Sequence, residues 1–192
     1  MKLFCVRLAD LLDTHRLPRR VGTRSEGRLV QPDVLEALEH CEQRVVVIDL
    51  EGVDLINSSF ADETIALPLQ RLVNREYGEK YLVVATPSFE IVVDLQLPLQ
   101  KRDLSLLAFT PAIGGSWQIL GVRKSYFDET LSKIMSMGTS TTGVLARSLS
   151  LSDQACSNRL AELGRRRLIA REREFGQGGG QTHSNRSLLE LG

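Results

Sequence analysis

Apolar residues follow two rhythms along this chain. RVVVIDL (44–50) and YLVVAT (81–86) are unbroken, β-branched runs without polar alternation. Runs of this kind suit strands covered on both faces of a sheet. SWQILGVR (116–123) follows the turn-like PAIGG and reads as a third strand, and Lys2 to Leu8 alternates weakly as another. The segment from Arg16 to Gly22, rich in Arg, Pro and Gly, reads as a loop. Helical spacing fills the gaps. In QPDVLEALEHCEQ, Val34, Leu35, Leu38 and Cys41 share a face, and Pro32 suits the first turn. Ile65, Leu69 and Leu72 share another face, and Pro68 is expected to kink or divide that helix. PSFEIVVDLQL reads as a helical or irregular segment ending near Pro98. Strands alternating with helices predict an α/β fold, a sheet covered by helices.

The rhythm changes after Lys124, which places a boundary at residues 123–125 and predicts domains 1–123 and 124–192. SYFDETLSKIMSM suits a short helix using Phe127, Leu131, Ile134 and Met135, and GTSTTGV supplies flexible and capping residues. A helix from about Thr142 to Ser148 would turn Val144, Leu145 and Leu149 inward. Ser152 is a natural N-cap for a second helix, in which Cys156, Leu160 and Leu163 fall at i, i+4 and i+7. The opposite face carries Gln154, Asn158, Ala161 and Arg165, with Ser157 on its flank. IARERE and THSNRSLL suit paired strands joined by FGQGGGQ, expected to be a mobile turn.

Charge sharpens this division. The formal net charge is zero, yet residues 1–137 hold sixteen Lys and Arg against nineteen acids, a net of −3, while residues 138–192 hold eight Arg against five acids, a net of +3. The two parts are therefore expected to meet different partners. Cys5, Cys41 and Cys156 are odd in number and widely spaced, so they are expected to be small buried residues in a reducing compartment, with neither a disulfide framework nor a zinc site. Charges interrupt the apolar start, and no run has the length to cross a bilayer. The expectation is a cytoplasmic protein without membrane contact.

Helix, turn, helix and Gly-tipped hairpin, in the order LA–L–LS–S–RL–L–RRRLI–R, resemble the winged helix-turn-helix of many bacterial transcription regulators. That resemblance implies a recognition helix over Ser152 to Arg165, with Gln154, Ser157, Asn158, Arg159 and Arg165 toward duplex DNA. Asn and Gln can pair two-fold with adenine, and Arg with guanine. It also implies a wing over Ile169 to Leu188, bringing Arg171, Arg173, His183 and Arg186 near phosphates or a minor groove. Two plainer readings stand beside it: Arg165 to Arg167 as a solvated helix end, and the hairpin module as a protein-docking unit.

INSSFADE (56–63) joins the strand RVVVIDL to the next helix. Ser59 with Asp62 fits a capping box, with Asp in the place usually taken by Glu or Gln. The stretch also resembles the STAS fold of anti-sigma-factor antagonists, and more closely a STAS-like family with a Ser-Phe-Ala-Asp-Glu signature. The resemblance spans roughly Lys2 to Arg123 and is concentrated in Arg44 to Glu63. It implies a site at Ser58, Ser59, Asp62 and Glu63, with Ser58 the position phosphorylated by a kinase of the histidine-kinase-like ATPase fold. Asn57 and Phe60 depart from the antagonists' Asp and Gly, and Asp62 and Glu63 are expected to repel a phosphate. No catalytic motif, metal set or cofactor signature emerges. The sequence therefore predicts a non-enzymatic, homodimeric DNA-binding regulator whose STAS-like domain meets a protein or a signal. The alternative is a partner-switching protein that docks an ATPase-type kinase and leaves DNA alone.

Overall fold

A computed structural model describes residues 3–175 and 181–191, so the expected mobile turn falls largely outside the described residues. The chain divides into two compact units, Lys2–Arg123 and Lys124–Gly192. The first is a mixed α/β unit. Strand β1 (Phe4–Arg7) leads directly into α1 (Leu8–Thr14), and β2 (Arg20–Val21) precedes α2 (Arg24–His40) and β3 (Val45–Asp49). After β4 (Leu55–Ile56) comes a continuous helical stretch: α3 (Ser58–Ala61), a π segment (Asp62–Ala66) and α4 (Leu67–Val73). Then follow β5 (Tyr81–Ala85), a 3-10 segment (Phe89–Leu95), α5 (Gln96–Lys101), β6 (Ser105–Thr110) and β7 (Ser116–Gly121). The main sheet runs β1-β3-β5-β6-β7, parallel except for the β6–β7 hairpin. Strands β3 and β5 lie side by side, with Val46, Ile48, Leu82 and Val84 buried on one face and Val45, Val47, Tyr81 and Val83 buried on the other. The unbroken apolar runs thus do mark strands covered on both faces.

Helix α2 begins eight residues earlier than Pro32 suggests. Thr23 and Glu26 form a reciprocal capping box at the true start, and the helix continues through Pro32. A proline inside a helix costs about 3 kcal/mol. Full burial of Val30, Val34 and Leu38 returns about 2 kcal/mol for each side chain, which outweighs that loss. Leu35 and Cys41 are only half-buried. Helix α1 and strand β6 are elements that the apolar pattern leaves unassigned. The segment expected to end near Pro98 instead continues as α5 to Lys101, with Pro98 in the first turn, where a missing N–H is harmless.

At Pro68 the helical stretch is not broken in two. The helix widens into a π turn, in which the Leu67 N–H reaches back to the Asp62 carbonyl. Pro68 has no N–H to offer the next carbonyl in that pattern, Glu63, and Gln31 Nε2 on α2 donates to it at 2.8 Å. Gly27 makes this approach possible. A Cβ there would lie 2.8 Å from Glu63 Cβ and 3.1 Å from the Phe60 carbonyl oxygen.

The second unit holds α6 (Phe127–Met137), β8 (Thr139–Thr141), α7 (Thr142–Ser148), α8 (Asp153–Arg165), β9 (Ala170–Phe175), β10 (Gln181–Arg186) and a 3-10 turn (Leu188–Leu191). The strands form an antiparallel sheet in the order β8-β10-β9. Polar β8 was expected to be flexible. The β10 ladder holds it, and buried Asn185 donates from Nδ2 to the Ser140 carbonyl at 3.3 Å. Phe127, Leu131, Ile134, Leu145, Cys156, Leu160, Leu163 and Leu188 make the core. Val144 is not among them. It is 37% exposed, while Ala146 takes the inward position, and Met135 and Leu149 are half-buried. Among the described residues no helix is long and apolar enough to cross a membrane.

Gly27→Ala tests the close helix approach. Helix propensity favours Ala by up to about 1 kcal/mol, but the clash of an added methyl costs typically 1–3 kcal/mol. The expected result in urea melts is a net loss of about 1 kcal/mol, against a gain for alanine at an open helical site.

Candidate functional sites

In the second unit the turn after α7 is made by Ser150 in the left-handed region (φ 54). Ser152 then caps α8, its Oγ accepting from the Ala155 N–H at 3.2 Å. With Cys156, Leu160 and Leu163 buried, Gln154, Asn158, Ala161 and Arg165 stand exposed on the other side of α8. Gln154 Nε2 donates to Asn158 Oδ1 at 3.0 Å, so the two amides are held together as a pair at the helix's open face.

The arginines sort into two groups. Arg159 bonds Glu129 at 3.0 Å and lies over the Tyr126 ring, tying α8 to the start of α6. Glu162 accepts from Lys124 at 2.8 Å, from Arg166 at 2.8 Å and from Arg165, while Arg166 also lies over the Phe127 ring. Burial by itself would raise the Glu162 carboxyl, but these three cations outweigh it and hold it at about 2. Arg165 to Arg167 are thus more than a solvated helix end. Arg165 is exposed, whereas Arg166 and Arg167 are buried.

Arg171 was expected near phosphates, yet its Nη2 donates inward to Ser157 at 3.0 Å, and burial pushes its pKa down. Arg186 is drawn toward Glu172 across the hairpin, 3.8 Å away. Arg173 remains exposed. It stands opposite His183 in the β9–β10 register, with Arg171 two residues before it on the same face. Burial first, then Arg171 and Arg173, push His183 below its ordinary value, a sign of positive potential on this face.

The first unit holds a different constellation. Neither serine of INSSFADE caps a helix. Asn57 is the N-cap, without a side-chain bond, and Ser58 and Ser59 already lie within α3. The expected box between Ser59 and Asp62 is absent, since Ser59 is not the N-cap, and Asp62 is engaged elsewhere. Arg102 grips it with two bonds, Nε at 2.6 Å and Nη2 at 3.0 Å, and Arg24 adds a third at 3.2 Å. Arg102 Nη1 also reaches Gln70 at 2.7 Å. Buried Glu63 takes Arg24 at 2.7 Å, with Arg28 at 3.6 Å. The bonds from Arg102 hold the Asp62 carboxyl below its ordinary value, against the burial that would raise it. Each acid is thus paired with arginines, Asp62 with Arg102 and Arg24 and Glu63 with Arg24, which offsets the repulsion expected toward a phosphate.

Beside them lies a cleft of about 320 Å³, lined by Arg24, Lys101 and Arg102 around the two serines and Asp62. Among the described residues the Ser58 and Ser59 hydroxyls make no hydrogen bond. Sequence reasoning singled out the serines and acids, and met Arg24 only within GTRSEGR (22–28), a stretch that fits the STAS-like family; it did not single out Lys101 or Arg102. The other acids at the strand ends do not gather into a site: Asp49 Oδ1 accepts the Glu51 N–H at 3.0 Å, and no group of three potential metal ligands occurs among the described residues. Cys5, expected to be buried, is exposed on the edge strand, Cys41 is half-buried and Cys156 is buried.

Compared with models of known protein families and with curated proteins, the chain matches none. Among solved structures it is similar to one described as a "Possible transcriptional regulator" from Methanosarcina mazei Go1. Identity is 15%, the TM-score is 0.32, and the likeness covers 34% of this chain and 56% of the other. The chain thus spans little more than half of that protein's length, and so slight a likeness carries no weight for its function.

Glu162→Gln should lower the stability of the second unit by about 2 kcal/mol at neutral pH, by losing the charge-assisted bonds from three cations. The folded pKa lies below the ordinary 4.5, so this stabilisation is complete above about pH 4.5 and fades as pH falls toward 2. Denaturation curves of parent and variant should accordingly converge in acid.

Proposed function

We propose that the chain is a cytoplasmic, DNA-binding transcription regulator in which residues 124–192 act as a winged helix-turn-helix and residues 1–123 as a STAS-like domain that binds a protein partner or senses a signal. The observation that carries this reading is the two-sidedness of α8: an apolar face sunk in the core and an amide-bearing face left open beside a hairpin. A helix in the major groove needs short or amide side chains on its free face, near its start. Gln154 and Asn158 supply them. Arg165 and Arg173 are the exposed cations suited to phosphates, while Arg159, Arg171 and Arg186 act as struts that set α8 and the hairpin. Since a palindromic site needs two recognition helices, the chain acts as a homodimer. This reading gives it no catalytic step.

Gel shifts on an enriched duplex pool test the reading. Binding should weaken steeply with salt. Arg173→Ala should weaken binding to all sequences several-fold and shallow the salt slope by about one. Asn158→Ala should instead relax preference at one base pair, by about 1–3 kcal/mol. Absence of duplex binding even at low salt would overturn the proposal.

A second reading, partner switching with a histidine-kinase-like ATPase, is favoured by the unpartnered Ser58 hydroxyl beside arginine-paired acids. In that reading a kinase modifies Ser58. Co-expression with a kinase encoded nearby should then add one phosphate by intact mass, and Ser58→Ala should abolish the addition. An unmodified mass with no complex formed would remove this reading.

A further inference from the structure

The cleft beside the serines has a charge balance of its own. Its lining sets three cations, Arg24, Lys101 and Arg102, against one carboxylate, Asp62, a formal +2. That carboxylate already accepts three bonds from its two guanidinium partners. A guanidinium carries five N–H groups, so both arginines keep donors to spare after bonding Asp62, Glu63 and Gln70. Lys101 has no hydrogen bond or ion pair among the described residues, and its side chain is exposed at the rim. Two hydroxyls, from Ser58 and Ser59, complete the polar wall, and Leu97 and Pro98 form an apolar one.

We propose that this cleft binds a free small-molecule phosphomonoester, its dianionic phosphate held by Arg24, Lys101 and Arg102 and its carbon skeleton laid against Leu97 and Pro98. The dianion matches the cleft's formal charge, and its terminal oxygens are acceptors for the guanidinium, ammonium and hydroxyl donors. Its size agrees: about 320 Å³ falls at the small end of ligand pockets, where a phosphate with a short sugar or acid fits. A phosphodiester carries one charge fewer and leaves part of the cationic lining uncompensated, which favours monoesters over nucleic-acid backbone. Arg24 and Arg102 come from α2 and from the end of α5, and the Asp62 and Glu63 bonds fix them in place before a ligand arrives. Lys101, left free, closes from the rim.

The proposal stands without the DNA-binding one, and direct binding tests it alone. Titration calorimetry would use the full chain, verified by mass as unphosphorylated, so that no modified serine fills the cleft. The probes are inorganic phosphate, 5′-AMP, glucose 6-phosphate and, as a diester, dimethyl phosphate. At least one monoester should bind saturably and about ten-fold or more tighter than the diester. Lys101→Ala, an exposed substitution that leaves the Asp62 cluster intact, should weaken that binding about ten-fold. Tighter binding of inorganic phosphate than of every monoester would overturn the assignment of the apolar wall and with it the proposal. So would absence of saturable binding, or equal affinity of the Lys101→Ala variant.

Discussion

Pro68 cannot donate a backbone hydrogen bond, and much of the first unit's site follows from that constraint. A helix that must pass through a proline has to lose a bond and make room for the ring. Here the room comes from a π turn over Asp62–Ala66, one of the insertions that often accompany functional positions. The freed carbonyl of Glu63 goes to Gln31 on the neighbouring helix. That bond holds α2 close, and Gly27, with no side chain, gives room for the approach. Once α2 is close, Arg24 meets Asp62 and Glu63 from one side while Arg102 reaches Asp62 from the other. A backbone vacancy is thus converted into a lattice of charge.

That lattice changes what the acids mean. Isolated beside two serines, Asp62 and Glu63 would be a barrier to any anion. With a bidentate arginine on one and two further arginines on the other, they become orienters of cations. The cost of burying Glu63, only 5% exposed, is met by pairing, as burial of a charge demands. The same logic governs Glu162 in the second unit, where one half-buried carboxylate gathers Lys124, Arg165 and Arg166 at the end of α8. In each unit carboxylates gather basic side chains, Asp62 and Glu63 in the first and Glu162 in the second.

The sequence made the apolar skeleton legible because burial leaves a local signature. The β-branched runs 44–50 and 81–86, and the spacing of Cys156, Leu160 and Leu163, each carry their own periodicity. What failed was local evidence overridden by tertiary structure. Pro32 looked like a helix start because Pro favours that place, but Thr23 and Glu26 capped the helix earlier. Thr139–Thr141 looked flexible because its composition is polar, and only the β10 ladder makes it a strand. Ser59 looked like a cap because Asp62 stands three residues on, and Arg102, forty residues away in the chain, claims that carboxylate instead. Charge pairs between distant segments have no sequence period, so Arg24, Lys101 and Arg102 were invisible as a group.

A similar reversal separates the arginines of the second unit. By sequence, Arg171 and Arg173 are equivalent members of an alternating strand, both pointing to one face. Their positions along β9 decide otherwise. Arg171 lies beneath α8, where a Cβ on Gly164 would come 3.4 Å from its side chain and Ser157 accepts its bond. Arg173 lies two residues further out and stays exposed. A strut and an outward cation can therefore share one strand face at a spacing of two. The strut ties the hairpin to α8, while the outer cation is left to solvent.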